Sequence, residues 1–190
     1  MSRKLRYWYP GAMYHVTSRG NRKSAIFYDD PDRFAYLDIL REAQNDFPFY
    51  LHSYCLMTNH IHLQIETIQH HPKDIMKYLN FKYAIYFNKR HDLDGHVFQG
   101  RYKSELILSI DYFLKANRYI HLNPVEASIV HSPGAYPWSS YAAYISKTEN
   151  KLVTTEKILS FFPEPKLENY RKFVEEKKEE TELVSNMVTR

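Results

Sequence analysis

The stretch Met57–Glu66, MTNHIHLQIE, constrains the fold more than any other. Ile61, Leu63 and Ile65 are apolar, while His60, His62, Gln64 and Glu66 are polar. Successive side chains of a strand point to opposite faces, so this alternation reads as a half-buried strand. With a rise of about 3.3 Å per residue, the two imidazoles lie about 6–7 Å apart on one face. A rigid strand places such a pair well for one metal ion. In a chain with 10 His the spacing alone is weak evidence, and the rest of the site has to come from elsewhere.

The elements on either side fix the fold class. Residues 12–18 alternate around Tyr14 and Val16 and read as a first strand, followed by a basic turn, RGNRK, at 19–23. Asp30 suits an N-cap and Pro31 a first helical position, and Phe34, Leu37, Leu40 and Ala43 carry a helix to about Asn45. Residues 47–57 form a second strand, joined to the His strand through Thr58–Asn59 as a hairpin. A helix over 73–90 and a strand over 101–108 follow. A last helix, capped at Ser109 or Asp111, runs through Tyr119 towards Asn123 and is expected to stop at Pro124. The order predicts an α+β fold of ferredoxin-like, split βαβ type. Its antiparallel sheet has helices on one face and an open face for the imidazoles. Residues 125–146 are expected to pack over the last helix. The domain is expected over 1–150, with a helical C-terminal extension over 151–190 whose last dozen residues are disordered.

Charge separates the same regions. Of 26 basic and 22 acidic residues, the segment 151–190 holds eight of each, so the net +4 lies in residues 1–150. Residues 1–23 carry Arg3, Lys4, Arg6, Arg19, Arg22 and Lys23 and no acid, with Tyr7, Trp8 and Tyr9 among them. That mixture suits a phosphate backbone and stacked bases. There is no secretory leader pattern and no apolar run of about 18 residues, so a cytoplasmic protein without a membrane span is expected. Cys55 is the only cysteine and sits in an apolar run, which suits a buried, inert thiol.

The helix before Pro124 supplies what the His strand lacks. Tyr119 and Asn123 are four residues apart and share a face, with Lys115 one turn earlier. If that face meets the open sheet, Asn123 can complete a His60–His62 site and Tyr119 stands beside it. A phenolate can attack a phosphodiester to form a covalent intermediate. A free phenol has a pKa near 10 and needs positive charge close by to ionise. Two imidazoles and an amide oxygen suit Mn²⁺ or Mg²⁺. Metal affinity is expected to fall below about pH 6.5, where a free imidazole protonates.

Four motifs in order resemble a known family. His60-Ile61-His62 resembles the His-hydrophobic-His motif of the HUH single-strand endonucleases. RYIHLNPV at 118–125, YHVTSRGNRK at 14–23 and YPWSSY at 136–141 resemble their single-tyrosine, insertion-sequence-type transposases. The subgroup associated with repetitive extragenic palindromes is the nearest in pattern. The resemblance covers about residues 5–145. It implies divalent-metal-dependent cleavage and rejoining of single-stranded, hairpin-containing DNA by a monomer or homodimer. It further implies a 5′-phosphotyrosine intermediate, a free 3′-OH and no need of ATP. By the same resemblance His60 and His62 are metal ligands, Tyr119 the nucleophile and Asn123 a third, amide ligand. Arg19, Arg22, Lys23, Arg101, Lys103 and Lys115 are candidate DNA contacts.

Two other readings compete. A non-catalytic single-stranded nucleic-acid-binding module could use the same sheet face, but it needs no Tyr119, Asn123 and His pair. A small-molecule metallohydrolase would need a carboxylate base, for which the strand offers only Glu66.

Overall fold

The computed structural model describes residues 7–146 and 150–176. Arg3, Lys4 and Arg6 and the C-terminal dozen expected to be disordered lie outside the described residues. Four strands form the sheet: β1 (Met13–Arg19), β2 (Phe49–Met57), β3 (His60–Thr67) and β4 (Lys103–Ile107). Their order is β2-β3-β1-β4, and every neighbouring pair is antiparallel. The helices are α1 (Asp30–Asp46), α2 (Pro72–His91), α3 (Ile110–Glu126), α4 (Tyr141–Ile145), α5 (Glu156–Leu159) and α6 (Lys166–Glu175). The expected ferredoxin-like α+β fold is present. No described helix is long and apolar enough to cross a membrane.

Alternation in the strands decides what each face of the sheet holds. Tyr14, Val16, Leu51, Ile61, Leu63 and Ile65 point into one core, where they meet Ile39 and Leu40 of α1 and Ile75, Met76, Leu79 and Tyr83 of α2. The other face carries His15, Thr17, His60, His62 and Gln64. Helix α3 crosses the β2–β3 half of that face and leaves the β1–β4 half open. Behind α3, a smaller core joins Phe113 and Ala116 to Tyr141, Tyr144, Ile158, Tyr170 and Val174. Tyr141 and Tyr144 pack there, while Val130 and Tyr136 pack on Ile120 of α3 beside Met57 and the fully buried Cys55.

Two helix ends depart from expectation. The α1 cap is Asp29, whose side chain accepts from the Asp32 backbone N–H at 3.2 Å, rather than Asp30. Pro124 does not stop α3, which continues to Glu126. The proline lies in the last turn, where only the bond to the Ile120 carbonyl is forfeited. The end is tied by the Ala127 N–H to the Asn123 carbonyl (3.0 Å) and the Ile129 N–H to the Pro124 carbonyl (2.9 Å).

Candidate active site

The loop entering β3 sets the first imidazole. Asn59 donates through Nδ2 to the Lys23 carbonyl (3.2 Å), which directs its Oδ1 at His60 Nδ1, 2.7 Å away. An oxygen at that distance accepts, so Nδ1 carries the hydrogen and Nε2 presents a lone pair. Asn123 Oδ1, from the last turn of α3, faces that lone pair at 3.3 Å. Two acceptors in direct opposition are what a cation between them would satisfy. Donors about 2.1–2.2 Å from one ion and at right angles to each other lie about 3 Å apart, close to this separation.

His62 is fixed from the other side. Its Nδ1 lies 2.9 Å from His15 Nε2 and 3.2 Å from Thr17 Oγ1, which leaves Nε2 as its remaining nitrogen. The His60 and His62 rings stand edge to face with centroids 5.0 Å apart. Engaged outer nitrogens fix the tautomer of a metal-binding imidazole. His15 approaches His62 through Nδ1, on the outer side of the ring, so it is a support and not a third imidazole of the same set. Among the described residues no three His, Cys, Asp or Glu side chains converge as metal ligands. The donors that could hold an ion here are the two imidazoles and the Asn123 amide oxygen.

Burial keeps these rings neutral. It pushes the pKa of His62 down to about 2, helped by the charges of His15, His60 and Arg19. It lowers His60 also, partly offset by the Asn123 oxygen, which favours a protonated ring, and lowers His15 against the pull of Glu105. The lone pairs thus persist below the pH 6.5 expected for free imidazoles.

Helix α3 starts at Ser109, whose hydroxyl accepts from the Tyr112 N–H at 3.1 Å. One turn before Asn123, the Tyr119 ring packs edge-on against His62 and His15, with centroids 5.5 and 5.9 Å apart. It remains 42% exposed, so its hydroxyl is accessible to a polymer. It looks into a cavity of about 820 Å³ between α3 and the β1–β4 half of the sheet. Five of the six expected cations line that cavity: Arg19, Lys23, Arg101, Lys103 and Lys115. Arg22, the sixth, is not on its wall. Lys115 is also paired with Asp111 at 2.7 Å. Arg22 and Lys23 sit in a tight turn with positive φ (52° and 63°). Gly20 opens that turn, because a Cβ there would lie 2.1 Å from the Ser24 carbonyl oxygen.

Two rivals within the chain are disposed of by their partners. Tyr112 lines the same cavity, but it donates to Glu105 at 2.5 Å, and burial together with that carboxylate raises its pKa. It is held as a neutral donor. Glu66 is engaged by His52 (2.9 Å) and Lys157 (2.7 Å), which lower its pKa, and it is no base for the His pair.

Sequence reasoning missed His15, Thr17, Asn59 and Glu105. His15 and Thr17 share a parity with Arg19 on β1, and Thr17 pairs with His62 across the ladder. Only the β1–β3 pairing makes that parity meaningful.

A family model described as IS200-like transposase matches residues 9–123. No curated protein sequence matches the chain. The solved structure of a REP-associated tyrosine transposase bound to a REP hairpin aligns with a TM-score of 0.66 at 17% identity, over 81% of this chain and 98% of that one. A second solved structure, from Deinococcus radiodurans R1, aligns with a TM-score of 0.45 at 20% identity, over 63% of this chain and 95% of that one. At these identities the likeness concerns the fold.

Proposed function

The chain belongs to the family of IS200-like transposases, and from that premise we propose that it cuts and rejoins single-stranded DNA with Tyr119 as nucleophile. His60, His62 and Asn123 hold a divalent ion, Mg²⁺ or Mn²⁺, in this reading. The observation that carries it is the meeting of two elements. The Asn123 oxygen stands 3.3 Å from His60 Nε2, and the Tyr119 ring packs on His62 one helical turn away. A fold alone requires neither contact. The catalytic unit is residues 1–150, with 151–190 as an extension to it.

A bound ion would neutralise charge on the scissile phosphate and orient it for in-line displacement. The residues do the rest. Arg19, Lys23, Arg101, Lys103 and Lys115 hold backbone phosphates in the cavity and direct the strand past Tyr119. The Tyr119 oxygen forms a bond to phosphorus as the bond from phosphorus to the 3′ oxygen breaks. The phenol gives up its proton, and the departing 3′ oxygen takes one from solvent. The products are a 5′-phosphotyrosine and a free 3′-OH. Rejoining is the reverse step, with a 3′-OH as attacker. The phosphotyrosine bond conserves the energy, so no nucleotide cofactor is used.

The hairpin bound by the REP-associated protein makes a hairpin-bearing oligonucleotide the substrate to try. Protein, Mn²⁺ and such DNA should give a covalent adduct on a denaturing gel. His60→Ala with His62→Ala should abolish the adduct and leave the fold intact. Tight binding by the wild type with no adduct under any divalent ion would favour the non-catalytic binding module. Because burial lowers both imidazole pKa values, Mn²⁺ affinity should begin to fail at a more acid pH than a free imidazole's value of about 6.5 would set.

A further inference from the structure

We propose that residues 150–176, beyond the end of the family match at 123, brace helix α3 and so fix the Tyr119 phenol, with Tyr170 and Arg118 as positioning residues. This rests on the reading of Tyr119 as nucleophile.

The contacts form two lines into α3 on the side away from the cavity. Tyr170 of α6 is fully buried. Its hydroxyl lies 2.5 Å from Asn117 Oδ1 and 2.7 Å from His121 Nδ1, both on α3. Asn117 Nδ2 donates to Gln64 Oε1 (3.1 Å), and Gln64 Nε2 donates to the Phe113 carbonyl (2.7 Å). Gln64 is two residues along β3 from His62. The chain α6–α3–β3 is thus continuous, with both side-chain amides satisfied. The second line is Arg118, next to Tyr119 in sequence. Its guanidinium donates to the Phe173 carbonyl (2.8 Å) and the Glu176 carbonyl (2.7 Å) at the end of α6. The C-terminal end of a helix carries the negative end of its dipole, so a cation is favoured there.

The extension is itself anchored to the sheet. The Thr154 N–H donates to the Leu51 carbonyl (2.8 Å), and Lys157 pairs with Glu66 (2.7 Å). On the cavity side, by contrast, the polar contact between the α3 site residues and β3, among the described residues, is the Asn123 oxygen facing His60 Nε2 at 3.3 Å. The height and rotation of α3 over the His pair are therefore set from behind. In-line attack requires the oxygen about 3–3.5 Å from phosphorus, and a 1 Å error costs up to about 100-fold.

The test is the rate of adduct formation at saturating DNA, with DNA affinity measured beside it. Tyr170→Phe keeps the ring and removes the oxygen; Arg118→Ala removes the guanidinium. Both should slow adduct formation about 10-fold or more while affinity changes less than about twofold. Arg118→Lys, which still reaches a carbonyl, should recover part of the rate. Tyr83→Phe removes an equally buried hydroxyl bonded to the Ile26 carbonyl on the opposite face of the sheet. It should lower stability and leave the rate unchanged, which separates positioning from general weakening. Amide hydrogen exchange over residues 114–122, read without DNA, should quicken in Tyr170→Phe and Arg118→Ala. Wild-type adduct rates in both variants overturn the brace. If the wild type forms no adduct, the reading of Tyr119 fails by itself; unchanged exchange in α3 then overturns the brace, and quickened exchange supports it.

Discussion

The two faces of β3 are built from alternate residues of one strand and follow opposite rules. Ile61, Leu63 and Ile65 lie among aliphatic and aromatic groups from α1 and α2, where burial of apolar area holds the fold together. His60, His62, Gln64 and Glu66 lie under α3 and the extension, where polar atoms meet polar partners. The second face also changes character along its length. At Gln64 and Glu66 the partners are satisfied and structural. At His60 the partner is another acceptor, and the Tyr119 hydroxyl beside His62 opens on a basic cavity. A face that is fully satisfied at one end and left facing a cavity at the other indicates where ligands enter.

The largest expected break in this comparison is on the apolar face. Leu63→Ala should cost about 2–5 kcal/mol of stability, read from denaturant unfolding. His62→Ala, one residue away, should cost about 1–2 kcal/mol and yet abolish cleavage. Equal stability losses would mean that the two faces do not differ as described.

Acid should act through the buried histidines of the polar side. Burial lowers the pKa of His121 to about 3 and of His62 to about 2 in the folded protein. The unfolded value is about 6.5. The unfolded chain therefore binds more protons between these values, and stability is full above pH 6.5 and lost as pH falls towards 3. His121→Gln should flatten that fall between pH 7 and pH 4.5 in urea midpoints. An identical fall in the variant would place the acid sensitivity elsewhere.

Salt sharpens the open end. Replacing Arg19, Lys23 and Arg101 by Ala should reduce the log–log salt slope of single-stranded DNA binding by about 2, at about 0.7 per phosphate contact. Arg22→Ala should leave the slope unchanged, because Arg22 is off the cavity wall. The smallest effect is expected from Tyr112→Phe, whose cleavage rate should stay within about twofold, or about 0.4 kcal/mol, of wild type.

Much of this was legible in the chain. Period-two alternation placed β1 and β3, and i, i+4 spacing put Lys115, Tyr119 and Asn123 on one side of α3. Local patterns carry such information because they depend on one element at a time. What escaped depended on two. His15 has meaning only once β1 lies beside β3, and Arg118 looks like a surface cation until α6 brings its carbonyls to it. Pro124 misled because its cost depends on its place in the helix: inside the last turn it removes one bond, and the helix continues to Glu126. Tyr170 reads as one more buried aromatic until its hydroxyl is seen to link α6 to α3.

The proposed reaction bonds the Tyr119 oxygen to DNA on the cavity side of α3. Peptide mapping of the adduct trapped with Mn²⁺ and a hairpin-bearing oligonucleotide tests it most directly. DNA is expected on the peptide containing Tyr119, with no adduct from Tyr119→Phe at unchanged DNA affinity. An adduct on Tyr112, or a normal yield from Tyr119→Phe, would contradict it.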